Sequence, residues 1–550
     1  MSKDHNSCKS HSGYSAHDPV HVTNLSRLPP NLLATRIPDI ETIPALWFRN
    51  TEDECCIAIN PKNPCNMIIT THQDRAAGFF LTNIVNYTLD GGKTWTQSHL
   101  VQSRNQGATL VGANDDFESA SDPWVAFDSQ GNAFALSTSF NQFNDFEEAF
   151  IVWKSADGGQ SWSEATAVVR VDGFVDLYDK GSITADPYRK NNVYVVALNA
   201  RAVLDPSIPT RTEFFRSVDG GASWTPPIVV EPTIFTWGAQ LVVLPDEDHT
   251  LVITSGRNGP MKAFFVYRST DVGDTWTSIV VRPPGSFTTP NPEDPGLATF
   301  DPPIPPNLVR VFQSTDTAVN KCNGYLYTTY GSNEFNPTGQ TGIAIQMSKD
   351  GGLTWTPPIP ANPTTLSVQT FQPQVAVADN GIVAVLFYDF RFFTPTDPSL
   401  ATDVWVSFFD KNLNYLGELR LTPESFDTRQ FMLVSDGRYF PGDYFRIQSS
   451  GNDFYAAFTI TNPPYGIGPI PPPHDEFRLE PRNRQDVVFV KIENVPKCGA
   501  DVALSRRNII PVRNAVRKIT ARIVNTDDIA DVDQDMKLRV NLIMDKKQHA

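Results

Sequence analysis

Short runs of alternating apolar and polar residues fill the chain from about residue 46 to 496, each run ending in Gly, Asn, Asp or Pro. "AFIVWKS" and "AFFVYRS" show the two-residue period of strands with one face buried. Long stretches with helical period are scarce. The runs recur in a fixed order: a strand, a polar turn, a second strand, a variable loop, a third strand, and a turn built around Asp. That turn reads "YTLDGGKTWT", "WKSADGGQSWS", "FRSVDGGASWT", "YRSTDVGDTWT" and "QMSKDGGLTWT" in successive units. Its aspartates are Asp90, Asp157, Asp219, Asp271 and Asp350. Each is expected to accept bonds from backbone N–H groups ahead of it and so to pin a hairpin. Gly92, Gly159, Gly221, Gly273 and Gly352 supply a positive φ in this reading. The following Trp is expected to fold back under its hairpin. These aspartates are therefore read as structural.

A sixth unit carries Asp410 at the motif position without the glycines or Trp, and a seventh, "DYFRIQSSGNDFYAAFTI" to "DVVFVKI", lacks the motif. Four strands with their loops need about 40–50 residues, the size of one propeller blade. The expectation is an all-β propeller of seven four-stranded blades. Six is the alternative, with 282–320 taken as an insertion. The domain reading is an irregular N-terminal extension over 1–45, the propeller over 46–496, and a C-terminal extension over 497–550. In the last, "KITARIVNT" and "KLRVNLIM" suggest a β-hairpin.

Composition narrows the function classes. The formal net charge of −16 argues against non-specific nucleic-acid binding. The longest apolar run, "GIVAVLFY", is far too short to span a bilayer as a helix. "MSKDHNSCKSHSGYSAHD" has no apolar stretch of the signal-peptide kind. The expectation is a soluble protein, with the choice between cytoplasm and non-classical export open. The six cysteines show no metal-ligand spacing, and neither a metal nor another cofactor is expected. They are read as reduced thiols. Cross-linking of copies through Cys8 and Cys498 in the tails is the alternative.

Repeat alignment places Arg75, Arg201, Arg257 and Arg391 at the end of the second strand, on the face opposite the Asp turns. Entry to the first strand, on the same face, holds Glu54, Asp122, Asp179 and Asp443. Guanidinium groups suit a carboxylate ligand through bidentate bonds. Carboxylates among them serve as general acids or orient the arginines. Pairing of each Arg with a blade Asp, closing the ring only, is the structural alternative.

In these motifs the sequence resembles the Asp-box (BNR-repeat) sialidase-like β-propellers over about 50–495. The resemblance implies a glycan-directed site with an arginine triad, a Tyr nucleophile and an Asp acid. Arg36 in "TRIP" resembles the first triad arginine, Arg75 in "HQDR" resembles the arginine that precedes the first Asp box, and Arg257 and Arg391 are assigned to the other two triad places. Tyr444 in "GDYF" matches the nucleophile. The acid is missing, since "RAAGFF" after Arg75 contains no Asp. Glu54 and Asp74 are the nearest replacements. The reading is recognition of an anionic, sialylated or otherwise acidic glycan on the channel face, with weak or absent exo-glycosidase turnover. An active exo-α-sialidase is one alternative. A structural protein that self-associates through its terminal extensions is the other.

Overall fold

A computed structural model describes residues 20–24, 51–74, 81–100, 117, 119–141, 147–172, 176–201, 210–232, 236–257, 263–282, 298–299, 309–311, 315–332, 334–337, 341–394, 399–433, 439–461 and 485–493. These form a β-propeller of seven four-stranded antiparallel blades. The first six blades each use four strands consecutive in sequence. Their inner strands are Thr51–Ile59, Ser119–Phe127, Tyr178–Ala185, Thr236–Val243, Asp316–Val319 and Thr370–Val377. The seventh runs from the inner Arg446–Ser450 through Asp453–Thr461 to Gln485–Ile492. Its outermost strand is Val20–Asn24, paired antiparallel with Gln485–Ile492. Part of the leader read as irregular is thus a blade strand, and it closes the seventh blade by pairing the start of the propeller with its last strand. Adjacent inner strands pack on one another around the ring, and Thr51–Ile59 meets Arg446–Ser450 to close it. The 497–550 hairpin expectation lies outside the described residues.

Every blade buries both faces, so the core lies between blades. One apolar cluster joins Cys56 and Ile68 of blade 1, Phe134 and Leu136 of blade 2, and Ile183 and Val195 of blade 3. The Asp turns sit between third and fourth strands, as expected. Asp90 Oδ1 accepts from the N–H groups of Lys93 and Thr94, both at 3.0 Å, and Oδ2 accepts from Thr94 Oγ1 at 2.6 Å. The Thr88 hydroxyl donates to Asp90 and accepts from Gly92 N–H. Asp157, Asp219, Asp271 and Asp350 each accept the N–H four residues ahead. The hydroxyl of Ser223, with other bonds to the turn, draws the Asp219 carboxyl down to about 2.

The tryptophans match expectation in part: Trp95, Trp276 and Trp355 fold back to donate their indole N–H to the carbonyls of Gly92, Gly273 and Gly352 in their own turns. Trp95 is buried, while Trp162, Trp224, Trp276 and Trp355 are only half-buried. They reach toward the preceding blade. Trp95 meets Phe489 edge-on at 5.0 Å, Trp276 meets Phe214 at 5.2 Å, and Trp355 meets Phe264 at 5.6 Å. Trp162 donates its indole N–H to Ser98 of blade 1 at 3.0 Å. The repeated turn therefore joins blades as well as ending a hairpin. Gly273 shows the constraint: φ is +93°, and a Cβ would stand 2.2 Å from the Phe214 ring.

Candidate functional site in the channel mouth

Among the described residues, five of the seven inner strands carry a register irregularity at the same place, next to their first residues. The breaks fall between Asp53 and Cys56, Ser121 and Trp124, Asp179 and Ser182, Trp237 and Gln240, and Phe371 and Gln374. The extra residue of each bulge has positive φ: Glu54 at 46°, Asp122 at 48°, Lys180 at 53°, Gly238 at 63° and Gln372 at 49°. Gly442 holds the corresponding place before the seventh inner strand, at 96°. Four of these residues have side chains that disfavour this conformation, which costs of order 1–3 kcal/mol each. Bulges re-aim side chains, and here Glu54, Asp122 and Lys180, from three blades, converge at the channel mouth. This is the face opposite the Asp turns.

The Lys180 ammonium is the hub. It lies 2.8 Å from Asp122 Oδ1, 3.7 Å from Glu54 Oε1 and 3.7 Å from Asp179 Oδ1, and it also pairs with Asp443. Burial would strip its proton, but the charges of Asp122, Asp443, Asp179 and Glu54 outweigh it and hold the ammonium well above the usual lysine range. The carboxyls respond unequally. Burial pushes Glu54 well up, only partly offset by Lys180. Burial acts on Asp122 too, but the Lys180 charge and hydrogen bond and the Ser121 hydroxyl overcome it and hold Asp122 below the ordinary value. Asp179 is pushed up to about 6 by burial in the cluster, against the pull of Lys180. Its side chain is the most open of the group, 31 % exposed. Glu148, which accepts from Tyr178 N–H at 3.1 Å, is raised well above its usual range by burial and by Asp179.

Around this hub, Asp53 accepts from or shares a proton with His72 Nδ1 at 2.8 Å, and Glu54 lies 3.8 Å from the same nitrogen. Ligand atoms of Asp53, Glu54 and His72 fall within 4.8 Å of one another, close enough to gather a cation. Lys180 already supplies positive charge to Glu54 there. Tyr444 is buried against Trp124, ring centroids 5.2 Å apart, and donates its hydroxyl to Pro123 O at 3.0 Å. Burial, then Glu54 and Asp122, raise the phenol well above its normal range.

Two residues past each bulge the side chains form a second ring: Cys56, Trp124, Ser182, Gln240, Gln374 and Tyr444. Asp316 takes this position in blade 5, since it too stands three residues before its strand's last pair. Arg446 of blade 7 reaches across this level. Its Nη1 is 3.2 Å from Gln240 Oε1 and 3.6 Å from Asp316 Oδ1, and its guanidinium stacks 4.6 Å from the Trp124 ring. Blades 2, 4, 5 and 7 are thereby linked through one side chain.

Of the arginines named from sequence, the two with described side chains, Arg201 and Arg391, do not join this cluster. Arg201 pairs with Asp176 of its own blade. Arg391 pairs with Asp389 and reaches outward to Glu418 on its blade's outermost strand, with Trp405 3.4 Å beneath it. Arg257 ends a second strand opposite Thr236, and only its backbone is described. The same holds for Asp74, paired with Thr51 and Leu81. Arg36 and Arg75 lie outside the described residues, as do Cys8 and Cys498. Cys55, Cys56 and Cys322 are free, whereas Cys65, read as a reduced thiol, is disulfide-bonded. Among carboxylates, Glu54, Asp122, Asp179 and Asp443 do come together. Sequence reasoning missed Lys180, Gln240, Asp316 and Arg446. The signal for Lys180 was available in "DLYDKGSI", where it aligns with Glu54 and Asp122, one residue after the Asp that was chosen.

Comparisons with known proteins do not assign the chain to a family. No family model matches the chain. The xyloglucanase Xgh74A of Acetivibrio thermocellus is 25 % identical over 276 residues, 45 % of this chain and 28 % of that protein. The chain thus spans under a third of the curated relative it matches. Among solved structures, Trypanosoma rangeli sialidase in complex with sialic acid is 14 % identical, covering 81 % of this chain and 54 % of that one at a TM-score of 0.41. The α-L-arabinofuranosidase arb93a of Fusarium graminearum is 10 % identical, covering 62 % and 90 %, at 0.38. Among the described residues no helix is long and apolar enough to cross a membrane.

Proposed function

We propose that the protein acts on a glycan at the channel mouth, with Glu54 as general acid and Asp122 as its ionised partner. One observation carries this reading: the two carboxyls share the Lys180 ammonium, yet their environments drive their proton affinities in opposite directions. Such a split assigns acid and base roles in glycosidases. Held at 3.7 and 2.8 Å from one ammonium, the two oxygens lie closer together than most of the roughly 6.5–9.5 Å range of inverting glycosidases, a ceiling that admits the roughly 5–5.5 Å of retaining ones. The xyloglucanase similarity is consistent with a polysaccharide substrate.

The acidic-glycan form of the reading rests on Arg36, Arg75 and Arg257. Arg201 and Arg391 already have carboxylate partners, and four carboxylates around one ammonium favour a neutral sugar. Binding without turnover is the second reading, favoured by the low exposure of Glu54 and Asp122, 4 % and 6 %.

The test is hydrolysis and binding across neutral oligosaccharides and sialosides, with Glu54→Gln and Asp122→Asn. Loss of either group should lower turnover about 10²–10⁴-fold. The rate should fall as pH rises through the raised pKa of Glu54, because the acid must carry its proton. Hydrolysis indifferent to both variants would refute the assignment. Binding without any hydrolysis would select the second reading.

A further inference from the structure

Lys180 does not serve its carboxylates equally. Its ammonium pairs at close range with Asp122 and Asp443. Asp179 Oδ1 stands 3.7 Å from it, beyond hydrogen-bond distance, and accepts the Lys180 backbone N–H at 2.8 Å instead. Glu148, near the start of strand Glu147–Ser155 in blade 2, reaches the same inner strand of blade 3. Its Oε1 accepts from Tyr178 N–H at 3.1 Å, one residue before Asp179. After burial itself, the Asp179 charge is the largest influence on Glu148, so the two carboxyls are electrostatic neighbours. Among the described residues Glu148 has no cation partner, although it is only 4 % exposed. Glu148 Oε2 and Asp179 Oδ2 accept no hydrogen bond from the described residues, and neither oxygen is closed to solvent. The Asp179 side chain is 31 % exposed and opens this pair to the mouth. A carboxylate as buried as Glu148, with an open oxygen and no cation, gains from a ligand that brings the missing charge.

We infer that Asp179 and Glu148 form a subsite for the ammonium group of an amino sugar. This rests on the carbohydrate reading of the mouth beside it. The excess of carboxylate that turns away an acidic sugar leaves room for one more positive charge, since Glu54, Asp122, Asp179 and Asp443 share a single lysine ammonium. A ligand ammonium has three N–H groups, enough to serve both open oxygens. A sugar hydroxyl has one hydrogen to give and no charge, so it satisfies one oxygen and leaves the other. An acetamido group likewise offers one N–H without charge. The subsite therefore separates a free amino sugar from the hydroxylated and acetylated forms of the same ring. A divalent metal ion fits the pair less well. Calcium takes about six to eight oxygens, and among the described residues only Asp53, Glu54 and His72 bring three candidate ligand atoms together.

The experiment is calorimetric titration of the full chain with chitotriose, the trimer of β-1,4-linked glucosamine. Cellotriose and triacetylchitotriose carry a hydroxyl or an acetamido group in place of each ammonium, and spermidine offers ammonium without a sugar. Wild type is compared with Asp179→Asn and Glu148→Gln, each checked for folding by thermal melting. The readout is the ratio of affinities for chitotriose and cellotriose. We expect wild type to favour chitotriose about tenfold or more, the worth of one charge-assisted hydrogen bond. Each variant should bring the ratio to within about twofold of one. In wild type alone the ratio should shrink between 50 and 300 mM salt, because the Asp179 end of the subsite is open to solvent; this arm holds even where a variant does not fold. Equal affinity for all three sugars, or a ratio unmoved by both variants and by salt, overturns the subsite and leaves the proposed function standing. Spermidine bound as tightly as chitotriose overturns the amino sugar as the ligand. Preferred binding of chitotriose, with no oligosaccharide hydrolysed, supports the subsite and overturns only catalysis. A folded wild type that neither binds nor hydrolyses any of the three sugars overturns both.

Discussion

Replacing Lys180 with Met removes one charge and leaves four carboxyls facing each other. At an effective dielectric constant of about 20, an ion pair at 2.8 Å is worth roughly 6 kcal/mol and one at 3.7 Å roughly 4.5 kcal/mol. These gross attractions are opposed by desolvation and by repulsion among the carboxylates. The net loss expected for breaking such a buried network is about 3–5 kcal/mol near neutral pH. The pH dependence separates this cause from simple loss of packing. Without the ammonium, which lowers all three, the folded-state pKa values of Glu54, Asp122 and Asp179 must rise. A raised carboxyl pKa costs stability above that pKa and returns it as pH falls toward the unfolded value. In wild type Asp122 runs the other way: its depressed pKa adds stability above the unfolded value that is lost on acidification. Lys180→Met should therefore lose most relative to wild type at pH 7.5 and much less at pH 5. Urea unfolding at the two pH values, followed by tryptophan fluorescence, measures the difference. An equal loss at both, or no loss at either, would mean that the carboxyls do not depend on Lys180.

Three further outcomes follow from the packing and the cysteines. Gly273→Ala combines a positive φ with a Cβ 2.2 Å from Phe214, and should lower stability by about 2–4 kcal/mol in denaturant titration; a neutral effect would show that blades 3 and 4 separate freely at this turn. Arg391→Ala leaves Asp389 buried without its guanidinium partner and uncovers Trp405, so it should cost about 3–5 kcal/mol while leaving oligosaccharide affinity unchanged; lost affinity with normal stability would return Arg391 to the binding site. Burial pushes the Cys56 thiol up to about 11 and that of Cys55 well up, so of these two and exposed Cys322 only Cys322 should be alkylated in the native protein, as mapped by peptide mass spectrometry.

The Asp turns, the strand order and the seven units were legible in the sequence because they depend on local chemistry. Asp90 and Thr94 are four residues apart, and a hydroxyl, a carboxylate and a glycine at that spacing suffice to build the turn. The face on which Glu54, Asp122, Asp179 and Asp443 meet was legible too, since strand order alone sends the entry to the first strand and the exit from the second to the same side. Which side chains meet on that face was decided only in three dimensions. Lys180 approaches Glu54, Asp122 and Asp443 from far along the chain, through bulges whose positive φ at Glu, Asp and Lys no local rule anticipates. Arg391 satisfied every sequence criterion for the site yet turned to Glu418, because a buried guanidinium takes the nearest carboxylates, and strand register within blade 6 had placed them outward. Arg446, in an unremarked position after "GDYF", crosses to Gln240 and Asp316 because closure of the ring brings blades 4, 5 and 7 around a single axis. Sequence sets what each blade is; closure sets which charges must share the centre, and their mutual burial fixes which of them keep a proton.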